Sequence, residues 1–135
     1  MRNFLSLIVV MILLMSTAYA EIKTYTGYGE YLMTDETIDY AKEQAELLAQ
    51  RDVLDKVCVF VKGRSLMIDN ELDDDEVITI SAGVLHVTDT KFSMDMDEEG
   101  ILIKAFVTAE VDTNELNKLL EQAIKQHKEN TANVV

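Results

Sequence analysis

The sequence predicts a two-layer α+β domain with a mainly antiparallel sheet of about four strands and two helices. Three observations predict this fold. Apolar residues alternate strictly in segments typical of strands, most clearly from Ile101 to Val111. Apolar residues at helical spacing indicate one long helix after the first strand and another at the C-terminus. The chain has no proline, so no residue of that type interrupts these segments.

The first twenty residues have the order of a secretory signal peptide. Arg2 precedes an apolar run from Phe4 to Met15, and small residues follow, ending in Ala18-Tyr19-Ala20. The apolar run is shorter than the ~20 residues that a bilayer span needs. We therefore expect cleavage after Ala20, a periplasmic or extracellular location, and no membrane attachment after cleavage.

Residues 21–129 are predicted to form a single domain, followed by a flexible tail at 130–135. The first strand is predicted from Lys23 to Met33, because this segment is rich in Tyr and Thr. Gly27 and Gly29 share one face of the strand. Two glycines on one face leave a trough in which another backbone can approach closely.

A long helix is predicted to begin at Thr34-Asp35-Glu36 and to reach about Lys62, where Gly63 ends it. A ridge of small residues along this helix suits close packing on the two glycines of the first strand. The ridge consists of Ala41, Ala45 and Ala49. The helix also carries a second apolar stripe, which must pack against something other than the sheet. Either the C-terminal helix or another protein covers this stripe, and the C-terminal helix is the favoured alternative. This stripe consists of Tyr40, Leu47, Leu54, Cys58 and Val61.

Three segments are predicted between the long helix and the hairpin. Arg64–Ile68 is a short strand, Asp69–Glu76 is an acidic loop, and Val77–Ala82 is a short helix or an irregular segment. Val84–Met96 follows as a long strand whose apolar parity changes midway. A bulge near Asp89 accounts for the change, because one extra residue reverses the facing of all residues beyond it.

A hairpin and a helix are predicted to complete the domain. Asp97 to Gly100 form the hairpin loop, with Gly100 free to take a positive φ, and Ile101–Val111 is the partner strand. Asp112 is the expected N-cap of the last helix. The apolar stripe of this helix consists of Leu116, Leu119, Leu120, Ala123 and Ile124.

Charge and cysteine content limit the possible functions. The formal net charge of −13 repels phosphate backbones and anionic lipid headgroups, so we expect no nucleic-acid partner. Cys58 is the only cysteine, which excludes a disulfide framework. Cys58 can be a nucleophile, half of an intermolecular disulfide or a buried small hydrophobe, and its apolar stripe favours burial.

No catalytic set can be assembled from these residues. His86 falls in a strand and His127 near the end of the last helix, and neither has a neighbouring serine or cysteine in a recognisable pattern. Gly27-x-Gly29 lies inside a strand and lacks the third glycine of a dinucleotide-binding loop. We therefore expect no enzyme activity, no cofactor, and no catalytic, cofactor-binding or metal-ligating residue.

Calcium or small-ligand binding by the acidic loops is the alternative function. The segment Asp95-x-Asp97-x-Glu99-Gly100 matches the first half of a calcium loop, but position 12 is Phe106 instead of glutamate. The loop around Asp73 has the same alternation of acidic residues and the same failure in its second half. Two half-matches favour solvated acidic loops over ion sites.

The order of several motifs resembles a bacterial envelope family. The motifs are Tyr25-Thr26-Gly27-Tyr28-Gly29, the alanine ridge, Asp75-Glu76-Val77, Ser81-Ala82-Gly83-Val84, and Gly100 before Lys104–Val111. Over nearly all of the chain after the signal, this order is similar to the N-terminal domain of flagellar assembly protein T and to related small envelope lipoproteins. The resemblance implies an exported, non-enzymatic module that works through protein contacts. We therefore expect a protein partner in the cell envelope, or a homo-oligomer.

Overall fold

A computed structural model describes residues 21–68 and 72–132 of the chain. Its elements are β1 (Ile22–Met33), α1 (Ile38–Met67), α2 (Asp74–Val84), β2 (Leu85–Met96), β3 (Ile101–Asp112) and α3 (Thr113–Ala132). The strands form one antiparallel sheet in the order β1-β3-β2. The described residues therefore form an α+β fold with three strands and three helices. The predicted signal peptide, residues 1–20, lies outside them.

The prediction of about four strands and two helices is wrong. The segment Arg64–Ile68, expected as a strand, is helical to Met67 because α1 continues through Gly63. A single glycine costs a helix only about 1 kcal/mol. Burial of Val61 and Ser65 on the same side of α1 offsets this cost. The segment at 77–82 belongs to the additional helix, α2, whose N-cap Asp73 accepts a 2.8 Å hydrogen bond from the Glu76 amide.

Gly27 and Gly29 let α1 contact the backbone of β1, which confirms the predicted role of these glycines. A Cβ atom on Gly27 would overlap the Ala49 carbonyl oxygen, and one on Gly29 would overlap the Ala45 carbonyl oxygen. The face of α1 that lies on the sheet is buried along its whole length, at Ala41, Ala45, Ala49, Val53, Val57, Val61 and Ser65.

The central strand, β3, contributes the sheet half of the core. The residues that face α1 are fully buried: Ile103, Ala105, Val107, Ala109 and Val111. We call this side of the sheet the helix-side face and the opposite side the outer face. The predicted bulge in β2 is confirmed, because its pairing with β3 shifts register between Val87 and Asp89. The predicted hairpin loop is also present, with Gly100 at a φ of +152°.

The last helix, α3, buries Leu116, Leu120 and Ala123 and extends to Ala132. Asp112 acts at its start as predicted, since its carboxylate accepts hydrogen bonds from the amides of Asn114 and Glu115. However, α3 does not cover the whole second stripe of α1, because Leu47 in that stripe remains 51% exposed. The prediction that the C-terminal helix covers the second stripe is therefore wrong at Leu47.

Candidate functional site

Side chains of α1 close one edge of the sheet. β1 pairs with β3 along one side only. On its other side, the backbone amide of Tyr28 donates a 2.9 Å hydrogen bond to Asp52, and the Lys56 ammonium donates a 2.6 Å bond to the Thr26 carbonyl oxygen. Asp52 and Lys56 also form an ion pair with an N–O distance of 3.2 Å. A second strand that approached β1 would have to displace both side chains.

The electrostatics of this edge predict a pH dependence. The amide of Tyr28, and secondarily the ammonium of Lys56, hold the pKa of Asp52 below its ordinary value. A carboxylate whose pKa is lower in the folded state stabilises the fold above its unfolded pKa of about 3.9. This contribution is lost as the pH falls through the folded-state value.

We therefore expect Asp52→Asn to reduce the loss of stability on acidification below about pH 4. Urea unfolding of the wild type and the variant across that range measures the effect. Asp55→Asn removes an equal charge from an exposed position on the same helix and is the matched control. Equal pH profiles for the two variants would contradict the role of Asp52.

The opposite edge of the sheet is open. β2 is an edge strand: among the described residues it pairs with β3, and no strand pairs with its other side. Within the same residues, no side chain donates to or accepts from the backbone of Leu85–Met96 on the side away from β3. The second half of β2, from Asp89 to Met96, pairs with β3 without a further register shift. β2 thus presents a regular row of backbone donors and acceptors.

Apolar side chains project from the same strand on the helix-side face. We call Val87, Phe92, Met94 and Met96 the β2 patch; the four are 46%, 38%, 53% and 84% exposed. The helix α1 lies over β1 and β3, and long polar side chains of α1 reach the second half of β2. Glu46 approaches the Thr90 hydroxyl at 3.5 Å, and the Lys42 ammonium lies 5.5 Å from the centre of the Phe92 ring.

The β2 patch continues into a groove between α1 and the start of β2. The groove has a volume of about 350 Å³ and is lined by Leu47, Gln50, Arg51, Leu54, Ala82, Leu85 and Val87. Two of these residues, Leu47 and Leu54, belong to the second stripe of α1 that the sequence identifies. The groove and the β2 patch together form a mainly apolar surface along the open edge.

The outer face of the sheet differs from this surface because several of its charged groups are paired. Tyr28 packs on Phe106 with ring centres 5.2 Å apart, and the Tyr28 hydroxyl donates to Glu30. Lys104 forms a 2.7 Å ion pair with Asp95, which raises the pKa of the lysine. The aromatic pair on this face therefore lies beside charged residues that have partners.

The histidines and the cysteine considered in the sequence lie in separate places. His86 pairs with Glu115 and His127 with Glu76, at N–O distances of 3.3 and 2.7 Å. Cys58 is half-buried against the hydrophobic core. The structure thus gives both histidines carboxylate partners and brings neither of them into a hydrogen bond with the thiol.

The acidic residues of the calcium alternative have structural partners. Asp95 pairs with Lys104, and the Asp97 carboxylate accepts hydrogen bonds from the amides of Glu99 and Gly100 at 2.7 and 3.1 Å. Asp73 caps α2, while the earlier acidic positions of that loop, residues 69 and 71, lie outside the described residues. Among the residues that the structure describes, no group of three or more His, Cys, Asp or Glu side chains is arranged to hold a metal ion.

A second concave site lies between α2 and α3. It has a volume of about 360 Å³, and its lining includes the acidic residues Asp73, Asp75 and Glu76 and the apolar residues Ile80, Leu119 and Ala123. Two of the three acidic residues already serve the fold, because Asp73 caps α2 and Glu76 pairs with His127. This cleft therefore marks the junction of two helices.

Two comparisons with known proteins were negative. No protein-family model matches the chain, and no curated protein matches it significantly. The resemblance to the N-terminal domain of flagellar assembly protein T therefore stays a prediction. Within residues 21–68 and 72–132, no helix is long and apolar enough to cross a membrane.

Proposed function

We propose that the protein is an exported, non-enzymatic module of the cell envelope that binds another protein chain through the open edge of β2. One observation carries this proposal: side chains of α1 occupy the backbone groups of one sheet edge and leave those of the other edge open. Asp52 and Lys56 close the β1 edge, whereas the β2 edge combines open backbone groups with the exposed β2 patch. An open apolar edge strand promotes association with another chain.

The chemistry of this edge suits recognition of a protein. An added strand gains affinity from main-chain hydrogen bonds and specificity from alternating side chains. On β2, the side chains of Phe92, Met94 and Met96 supply that alternation on one face. Methionine adapts its shape to a partner because its side chain is unbranched and flexible.

Export rests on the sequence of residues 1–20 and on the resemblance to envelope modules. The positive start, short apolar core and Ala18-Tyr19-Ala20 end support a cleaved signal. The net charge of −13 favours a protein partner over nucleic acid or an anionic membrane. The absence of a recognisable nucleophile, base and acid in the sequence supports a binding role.

Site-specific photo-crosslinking in the native host tests this proposal. A photoreactive amino acid at Met94 is expected to form a protein adduct in the envelope fraction, and the adduct should lack residues 1–20 by mass spectrometry. The same probe at Val59, which is 75% exposed on α1, is the matched control. Equal labelling at both positions, or an intact mass that retains residues 1–20, would overturn the proposal.

A further inference from the structure

We propose that a second copy of this chain occupies the open edge, through antiparallel pairing of β2 with β2 about a two-fold axis at Ser93. This inference rests on the proposed function and names the partner of the same site. The two sheets would join into one continuous six-stranded sheet. Each copy would contribute the regular half of β2 beyond the bulge at Val87/Asp89.

The pairing register follows from charge. With Ser93 opposite Ser93, Lys91 of each copy lies opposite Asp95 of the other, so two pairs of opposite charge form on the outer face. An axis at Lys91 or at Asp95 places like charges directly opposite each other. An axis at Phe92 places Asp89 opposite Asp95. Axes at Thr90 and Met94 also place Lys91 opposite an acidic residue, but they pair fewer residues of the regular half. The Ser93 axis therefore gives the longest pairing in which Lys91 lies opposite an acidic residue of the same strand.

The apolar residues agree with the same register. Side chains alternate between faces along a strand, so an axis at Ser93 pairs even-numbered residues with even-numbered residues. Phe92 of each copy lies opposite Met94 of the other, and Thr90 lies opposite Met96. All four residues are on the helix-side face. The β2 patch from Phe92 to Met96 would thus be covered by its own counterpart.

The charged side chains are placed for this contact. The Lys91 side chain is 78% exposed and lies 3.8 Å from Asp89, while Lys104 holds Asp95 at 2.7 Å. Asp97 would lie opposite Asp89 at the ends of the paired segment. The Asp97 carboxylate already accepts two amide hydrogen bonds within the hairpin loop. These bonds hold the carboxylate toward its own loop, which weakens its repulsion of Asp89 in the other copy.

Disulfide trapping tests the register. In a Cys58→Ala background, Ser93→Cys places two thiols on directly opposed residues, whose Cα atoms are about 4.5–5.5 Å apart, within disulfide range. Mild oxidation by diamide, which removes two electrons and two protons from the thiol pair, is expected to give a covalent dimer. Asp89→Cys is the control, because its two copies would lie about 27 Å apart at 3.3 Å per residue. Equal crosslinking of both variants, or none at Ser93, would overturn the inference.

Light scattering at about 0.15 M salt, where charge repulsion between copies is screened, tests the patch itself. We expect the wild type to dimerise and Met94→Lys to raise the dimer dissociation constant by about tenfold or more, because an unpaired charge is buried. Val59→Lys should leave dimerisation unchanged. A monomeric wild type would overturn this inference. If a monomer still captured a different protein through Met94, the proposed function would stand and the second copy alone would be excluded.

Discussion

Replacement of Gly27 by alanine is expected to lower the free energy of unfolding by about 3 kcal/mol or more, although it adds a single methyl group. The new Cβ atom would overlap the Ala49 carbonyl oxygen and a γ-methyl group of Val53. A change of rotamer relieves a clash with a flexible side chain but not one with the backbone of a helix. Therefore α1 would have to move away from β1, and the contacts of its buried ridge would weaken.

Urea unfolding followed by circular dichroism measures this effect. Gly63→Ala is the matched control, because a Cβ atom there would meet nothing within 4 Å and Gly63 lies inside α1. We expect this control to stabilise the protein by about 0.5–1 kcal/mol, since glycine is a poor helix former. If both variants behaved alike, the direct contact between α1 and β1 would be refuted.

The contact between α1 and β1 was predictable because both of its halves are local patterns. Gly27 and Gly29 share parity along a strand, and alanine recurs every four residues from Ala41 to Ala49. Each pattern consists of residues with small side chains on one face, which indicates that another backbone packs closely against that face. The bulge near Asp89 was predictable for the same reason, since apolar parity changes within one strand when an extra residue interrupts the pairing.

The end of α1 and the uncovered edge were not predictable in this way. Gly63 carries the same local signal whether it ends a helix or stands on the exposed side of one, and burial of Ser65 on the core side decides between them. The exposure of the β2 patch depends on the width of the sheet relative to the width of the helix that covers it. A helix is about 10 Å across and strands are about 4.8 Å apart, so one helix covers about two strands. Which strand remains uncovered depends on the order β1-β3-β2, which the sequence does not state.

Truncation of Ile103 to alanine is the second change with a large expected effect, a loss of about 2–5 kcal/mol of stability. Ile103 is fully buried on the central strand, and its register neighbours are Tyr31 on β1 and Met94 on β2. Removal of three carbon atoms there leaves a cavity beneath α1 that close-packed neighbours fill only in part. Ile103→Val should cost less, about 0.5–1.5 kcal/mol, so the loss should scale with the volume removed.

The variant Phe106→Ala, on the same strand, shows how much the outer face of the sheet contributes to stability compared with the helix-side face. Phe106 is larger than Ile103 but 46% exposed on the outer face, where it packs on Tyr28. We expect its loss to cost about 1–2 kcal/mol, because the aromatic pair contributes about 1 kcal/mol beyond the apolar area that half-burial of Phe106 removes from water. Thermal unfolding of the two alanine variants at several protein concentrations makes the comparison. A cost for Phe106→Ala as large as that for Ile103→Ala, growing with protein concentration, would mean that association buries the outer face, and it would move the predicted interface away from β2.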